Sequence, residues 1–553
     1  MQPDHSSALQ DAKNAGAFYT DVQIAEFLVW WAVRSPLDTV LDPSFGGGVF
    51  LRAACQRLEN LGGSVHGQVF GAELDSRVHQ EISLKLHEEF RIPASSLLEA
   101  DFFSVDRITP AGVDVVVGNP PFIRYQRFTG AARERALACA ASAGVTVSGL
   151  ASSWLPFLVH SVAQLKLGGR LAMVLPFELT QAAYARAGLD FLARSFGTVS
   201  LLTFRKKLFT DLSEDTLLLL AQDKGRPSRS WRWRDLAHSG ELAEMIRRDD
   251  REVSPCRVLD AERLATGEGR LIDHLLTRKA RELYRKLGAS IRSVRLGELA
   301  DVGIGYVTGA NEFFHLSPNA ARYWKIPSQF LRPAVRRGRS LRGLFFTNQD
   351  WELGTHTGEA GYLLHIQPKD DLPASVQRYL ATAQDIRTAY KVRSRKPWYA
   401  VPHVYHPDGF LSYMSGTTPR LVANDAGVVA PNSLHILRLR PTMTLNHHAI
   451  PALWQTSLTR LSVELEGHAL GGGMLKLEPK EAGNVLVAWP ANFRGLLDDA
   501  KALDTVSRTM DENTAMNEAD NLILRQRLHL TRADCTLLQQ AANMLQQRRL
   551  ARA

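Results

Sequence analysis

The stretch Val113-Asp114-Val115-Val116-Val117-Gly118-Asn119-Pro120-Pro121-Phe122 decides how this chain is read. Residues 113–117 form a β-branched run closed by glycine, the signature of a short strand buried on both faces. Two prolines follow the asparagine at once. Having no N–H to donate, they end the strand ladder and stiffen the backbone. A rigid turn therefore sits at the carboxyl end of a buried strand, where open α/β sheets place their ligands. It presents an amide side chain, carbonyls without a competing N–H and an aromatic ring.

Methylation of an exocyclic amino group on a base needs such a set. The lone pair of adenine N6 or cytosine N4 is delocalised into the ring, so the amine is a poor nucleophile. Two acceptors, the Asn119 side-chain oxygen and the Pro120 carbonyl, can hold its hydrogens and favour a transition state in which the nitrogen gains positive charge. Phe122 can stack on a base rotated out of a duplex. A plain Asn-Pro turn accounts for the same residues, so the rest of the chain has to choose.

Upstream, Thr20 or Asp21 can cap an apolar helix over 22–33. Thr39-Val40-Leu41-Asp42 reads as a buried strand, followed by Pro43-Ser44-Phe45-Gly46-Gly47-Gly48 and a helix to about residue 60. A strand, a glycine turn and a helix N-terminus make a nucleotide-type site, although a lone glycine-rich turn is a weak signal. The acid at the strand end, Asp42, points away from pyrophosphate and suits a ligand with an ammonium group. Val69-Phe70-Gly71-Ala72-Glu73 is a second strand. Its terminal Glu73 is placed for ribose hydroxyls, as in dinucleotide folds, or simply faces solvent. A third strand end at Glu99-Ala100-Asp101-Phe102 offers Asp101 to an adenine amino group and Phe102 to its ring face. A helix is expected over 154–167, capped by Gly168-Gly169, with strands at 170–176, 199–204 and 216–221. Strands alternating with helices imply an α/β, doubly wound, mostly parallel, Rossmann-like sheet.

This order of motifs over the first 225 or so residues resembles the catalytic domain of DNA amino-methyltransferases, the gamma-type adenine-N6 class. Gly-Ala-Phe-Tyr-Thr resembles that family's N-terminal cofactor segment, which implies Thr20. Asp-Pro-Ser-Phe-Gly-Gly-Gly is similar to its glycine motif, implying Asp42 and the turn with Gly46 and Gly48. Gly-Ala-Glu-Leu-Asp implies Glu73 for ribose, and Ala-Asp-Phe implies Asp101 and Phe102 for adenine. Phe157 matches an aromatic lining the cofactor pocket. Phe209, in the basic loop Lys206-Lys207-Leu208-Phe209-Thr210, is similar to an aromatic that packs with Phe122 on the flipped base. Asn119, Pro120, Pro121 and Phe122 stand at the catalytic motif, where the family often has Tyr in place of Phe122. The resemblance implies S-adenosyl-L-methionine as cofactor. Asparagine at the first position of the motif is typical of adenine enzymes, whereas serine is usual for cytosine-N4.

Beyond residue 225 the texture changes. Residues 226–290 read as a basic, partly helical linker, in which Trp231 and Trp233 among arginines touch phosphates and bases or form one edge strand. Residues 291–490 show short strands and many turns, an α+β module. Thr308-Gly309-Ala310-Asn311-Glu312-Phe313-Phe314, Asn432-Ser433-Leu434-His435 and Gly471-Gly472-Gly473-Met474-Leu475-Lys476 resemble target-recognition segments of the family. Basic clusters at Arg332, Arg336, Arg337, Arg339 and Arg342, and at Lys391, Arg393, Arg395 and Lys396, favour phosphate contacts over a solvated face. Residues 491–553 read as a C-terminal helical segment that packs on this module or, as the less favoured alternative, contacts phosphates.

The 66 Lys and Arg against 57 Asp and Glu leave a net charge of +9, which suits a polyanion. Four cysteines without metal spacing suit reduced thiols in the cytoplasm of a bacterium or archaeon. The opening is too polar for a signal peptide, and no apolar run is long enough to span a membrane. His447-His448 and the pair His403 and His406 lack a third ligand at metal spacing, so no metal is expected. Motifs that start within 20 residues of the first leave no room for an N-terminal nuclease. The expected partners are double-stranded DNA and, functionally, a cognate restriction endonuclease, with a monomer sufficing to methylate each strand in turn. The competing readings are an amino-methyltransferase acting on cytosine N4, rRNA or protein glutamine, and a DNA-binding specificity protein with an inactive methylase domain.

Overall fold

The computed structural model describes residues 20–123, 127–147, 152–180, 183–209, 215–266, 269–441 and 445–552. The chain divides into two compact units, one reaching to Asp273 and the other comprising His274–Ala551. No helix among the described residues is long and apolar enough to cross a membrane.

The first unit is built on one nine-stranded sheet. Its strands are β1 (Val40–Asp42), β2 (Val69–Glu73), β3 (Leu97–Glu99), β4 (Val113–Gly118), β5 (Leu165–Pro176), β6 (Phe196–Phe204), β7 (Thr216–Lys224), β8 (Ser230–Leu236) and β9 (Arg257–Asp260). They lie in the order β3-β2-β1-β4-β5-β7-β6-β8-β9. The first five positions are parallel. β7 runs antiparallel between β5 and β6, and β9 is antiparallel at the edge. β1 pairs with both β2 and β4, with Val40 opposite Val69 on one side and Val115 on the other. The strand order reverses there. The loops leaving β1 and β4 diverge, and the crevice of a doubly wound sheet opens between them. The central strands are valine- and leucine-rich and fully buried because helices cover both faces. Helix α1 (Val22–Ala32) is capped by Asp21, whose carboxylate accepts the Gln23 N–H at 2.8 Å. Helices α2 (Val49–Asn60), α3 (Ser76–Phe90), α4 (Gly130–Ser142) and α5 (Trp154–Gln164) follow.

Two expectations are corrected here. The helix ends at Gln164 rather than 167. Gly168, at φ +75°, lies instead in an irregular start of β5, where the pairing slips from Val113↔Leu165 to Val115↔Arg170. Glycine chemistry suits a helix cap or a bulge equally well, and only the partner strand chooses. Residues 226–273 are no linker: β8 and β9 complete the sheet, with β8 parallel to β6. Trp231 and Trp233 are 0% and 2% exposed, and their indole N–H groups donate to Ser228 Oγ and Thr203 Oγ1. They are core residues, not base-stacking ones. Arg251 in the same segment stacks over Trp30, 4.4 Å from the ring centroid, and donates to the Trp30 carbonyl at 2.7 Å.

The second unit is α+β. Its five-stranded sheet runs in the order Ala300–Ile304, Leu434–Leu439, Gly409–Ser412, Leu421–Asn424 and Phe345–Phe346, mostly antiparallel. A three-stranded sheet (His315–Leu316, Ala360–Leu364, Leu331–Val335) has its own apolar core around Phe314, Phe330 and Leu363. The C-terminal helices Leu496–Thr509, Glu512–Ala519 and Arg532–Leu550 belong to this unit. Arg549, in the basic last turn, is buried and pairs with buried Glu464 at 2.7 Å, while Arg460 donates to Gln546 at 2.6 Å. The helical segment therefore packs through buried polar pairs, as the packing alternative requires.

Candidate active site

Asn119 follows β4 directly and faces the end of β1. Its Nδ2–H donates to Thr20 Oγ1 at 3.2 Å, and its own carbonyl accepts from Ser44 Oγ at 3.4 Å. With Nδ2 held by Thr20, the amide oxygen Oδ1 is buried and has no protein partner. Asp42, at the end of the neighbouring strand β1, is 0% exposed. A Cβ on Gly118 would come within 2.9 Å of Asp42 Oδ1, so glycine is required where β4 ends against this carboxylate. One Asp42 oxygen accepts the Ser44 N–H at 3.1 Å, and the other is buried with no partner. Burial, with a smaller contribution from Glu73, pushes the Asp42 carboxyl up to about 8. A buried carboxylate without a counter-charge is costly, and a cationic group placed against it removes the cost.

The glycine turn stands over this pair. Gly48 caps α2 at φ +74°, where an L side chain would be strained and a Cβ would meet Ile82 Cγ2 at 2.7 Å. Glu73 closes the turn: Oε2 accepts the Gly46 N–H at 2.9 Å, and Oε1 accepts those of Leu74 and Asp75 at 2.9 Å. A cleft of about 320 Å³ is lined by Thr20, Ser44, Gly46, Gly47 and Asn119, with α3 residues opposite. Three separate sequence motifs thus converge on one cavity.

The other site residues named from sequence group differently. Asp101 caps a short turn, accepting the Phe103 N–H at 3.1 Å, and its second oxygen is held by Arg135 at 2.6 Å. Nothing in the sequence had marked Arg135. Phe102 and Phe157 are buried with ring centroids 4.9 Å apart, and His160 packs edge-on to Phe102 at 4.6 Å. Burial holds the His160 imidazole below its ordinary value. Phe122 and Phe209 are each 8% exposed. Pro120 is buried, and the Pro121 carbonyl accepts from Ser153 Oγ. Residues 16–19 of the N-terminal cofactor segment and Thr210 of the basic loop lie outside the described residues.

In the second unit, the middle recognition-like segment bonds to residues next to the other two: the Asn432 N–H donates to the Tyr306 carbonyl at 3.0 Å, and His435 Nε2 hydrogen-bonds the Leu477 carbonyl at 2.6 Å. Thr308 Oγ1 is bonded to Asn311 and accepts the Ala310 N–H, holding the Thr-Gly-Ala-Asn turn. The arginine clusters are partly spent on internal partners: Arg336 pairs with Glu312, Arg339 with Glu359, and Arg395 donates to the Val307 carbonyl. His447-His448 do have an acidic neighbour that spacing did not reveal. Asp425 Oδ1 lies 2.5 Å from His448 Nε2, and Asn446 Oδ1 lies 2.7 Å from His448 Nδ1, so that imidazole is already held between two acceptors.

Comparison with known proteins matches this division. The N-6 DNA Methylase family model matches residues 5–183, and the model for the C-terminal domain of the type II methyltransferase M.Eco57I matches residues 268–524. The type II methyltransferase M.AccI of Acinetobacter calcoaceticus is 22% identical over 521 residues, covering 92% of this chain and 89% of its own length. The type II methyltransferase M.XamI of Xanthomonas campestris pv. amaranthicola is 22% identical over 482 residues, or 85% and 84% of the two chains. Among solved structures, the type IIL restriction-modification enzyme MmeI in complex with DNA shares the fold at a TM-score of 0.55 and 13% identity, covering 98% of this chain and 76% of that one. With these two family domains in sequence along its length, the chain is similar to the type II methyltransferases of restriction–modification systems.

Proposed function

We propose that the protein is a gamma-class, S-adenosyl-L-methionine-dependent DNA methyltransferase that modifies adenine N6 in a short duplex sequence, protecting that DNA from a cognate restriction endonuclease. One observation carries the reading. The Asn119 amide, which lines the cleft, is oriented by Thr20 so that a buried Oδ1 is left without a partner, and the buried Asp42 carboxyl at the end of the neighbouring strand likewise has an unpartnered oxygen. The first is an acceptor for an amine hydrogen and the second a seat for an ammonium group.

The residues present fit the cofactor. Asp42 would take its ammonium group, the turn with Gly46 and Gly48 would admit it close to the backbone, and Glu73 would take ribose. Asp101, Phe102 and Phe157 would surround its adenine. Once bound, it supplies an electrophilic methyl group on a sulfonium. Asn119 Oδ1 and the Pro120 carbonyl then hold the N6 hydrogens of a flipped adenine and stabilise the positive charge that grows on nitrogen. Pro121 keeps the turn rigid, and Phe122 and Phe209 stack on the extruded base. Positioning supplies much of the rate. The second unit reads the duplex through base edges and phosphates. The protein acts in the cytoplasm, as a monomer that methylates each strand in turn.

The deciding experiment incubates the protein with tritiated S-adenosylmethionine and unmethylated plasmid DNA and separates the product nucleosides. Label in N6-methyladenosine is expected. Label in N4-methylcytosine would overturn the base assignment, and label in rRNA or protein alone would overturn duplex DNA as substrate. Cofactor and DNA binding without turnover would mark an inactive methylase domain. Asn119→Ala should lower turnover about 10²- to 10³-fold while both ligands still bind. A change of only a few-fold would place the site elsewhere.

A further inference from the structure

Ser153 stands at the N-cap of α5 and is 1% exposed. A serine there ordinarily turns its hydroxyl back onto the first helical N–H groups and stabilises the helix. In this protein the hydroxyl makes no capping bond. It accepts the Ile123 N–H at 2.8 Å and donates to the Pro121 carbonyl, while the Ser153 N–H donates to the Ile123 carbonyl at 3.0 Å. One residue thus forgoes its local role and brackets Phe122 from both sides, just after two prolines that have no N–H of their own to anchor the turn.

The same helix grips the neighbouring turn two helical turns further on. His160 Nε2 lies 3.1 Å from the Phe102 carbonyl and 2.9 Å from the Val105 carbonyl. Phe157, between these two residues in sequence, packs on Phe102. Helix α5 therefore holds the Asp101-Phe102 turn through His160 and Phe157 and the Asn119–Phe122 turn through the hydroxyl of its N-cap residue Ser153. Resting on the methylation reading above, we propose that Ser153 is a positioning residue for methyl transfer: it sets the Pro120–Pro121 carbonyls and the Phe122 ring against α5, so that a base stacked on Phe122 arrives in register with the adenine-binding turn. It touches neither the base nor the methyl group.

Three full-length variants test this. Ser153→Ala removes both hydroxyl bonds and Ser153→Thr keeps the hydroxyl. Val199→Ala, at a fully buried position of β6, is a stability control outside these turns. Single-turnover methyl transfer to plasmid DNA, calorimetric cofactor affinity and melting temperature are measured for each. Ser153→Ala should slow single-turnover transfer about 10- to 100-fold, as expected for a misplaced acceptor, with cofactor affinity within about three-fold of wild type. Ser153→Thr should recover most of the rate, and Val199→Ala should lose melting temperature without losing rate. A Ser153→Ala rate within about three-fold of wild type overturns the inference. So does a rate loss that Val199→Ala reproduces at equal destabilisation, or one that cofactor affinity follows in parallel. If Ser153→Thr does not fold, the comparison of Ser153→Ala with Val199→Ala still decides. An inactive wild-type protein would overturn the methylation reading and this inference together, whereas an active one indifferent to Ser153→Ala overturns the inference alone.

Discussion

Two carboxylates, one in each unit, are removed from water and treated in opposite ways. Glu464 in the second unit has both oxygens held by Arg549, at 2.7 and 3.1 Å, with the two side chains 4% and 3% exposed. Asp42 in the first unit has no cation beside it, a single backbone N–H on one oxygen and nothing on the other. Ionised and buried, either carboxylate would cost several kcal/mol; Glu464 recovers this from Arg549, whereas burial holds Asp42 in its protonated form up to about pH 8. A satisfied buried charge is part of the packing, whereas a buried carboxyl left without a partner at a strand end supports the proposed seat for a cation.

Breaking the satisfied pair should have the largest effect. Arg549→Ala strands Glu464 and also releases the Gly416 and Thr417 carbonyls that Arg549 serves. A loss of about 3–5 kcal/mol is expected, read as a fall in the denaturation midpoint. Replacing both partners by apolar residues of similar volume should recover much of it, which the pair as a binding site would not allow.

At the unsatisfied carboxylate the order reverses. Asp42→Asn should weaken S-adenosylmethionine binding about 30- to 100-fold, because a close charge-assisted pair is lost, yet leave the unliganded protein no less stable. The sign follows from the raised value. The folded protein keeps the Asp42 proton up to about pH 8, whereas the unfolded chain releases it near pH 4. Between those values wild-type stability falls as pH rises, and the asparagine variant escapes that loss. Denaturation at pH 9 should therefore favour Asp42→Asn. A variant less stable than wild type at that pH would mean that the carboxylate is structural.

The smallest effect sharpens the same point. If an ammonium group seats on Asp42, binding at pH 7 must expel the carboxyl proton. Calorimetry in buffers of different ionisation enthalpy should show release approaching one proton, and affinity should rise with pH toward 8 by at most tenfold per unit. Zero release would mean that Asp42 stays protonated and does not pair with the ligand.

Much of the first unit was legible because its signals are local. A β-branched run ended by two prolines, or a strand running into three glycines, carries its conformation in adjacent residues, and Asp42, Glu73 and Asn119 inherit their places from those strand ends. Thr20 also joined them, although the bond it makes is to Asn119 rather than to the capped helix. The signals failed where one local pattern serves two tertiary roles. Trp231 and Trp233 among arginines look the same on an exposed face and in a buried strand, and the presence of β6 alongside makes them core.

The sequence by itself determined the α/β class of the first unit, the residues at the carboxyl ends of its central strands and the change of character after the sheet, because turn geometry and hydrophobic period are properties of neighbours along the chain. Only the tertiary structure decided which distant residues serve those ends. It brought Arg135 to Asp101 across 34 positions, Ser153 to Pro121 across 32 and Arg549 to Glu464 across 85. A hydrogen bond or ion pair carries no signature in either partner alone. It exists only once the packed core has fixed where both backbones run, and that is why the residues that orient this site, unlike those that compose it, had to be seen in the fold.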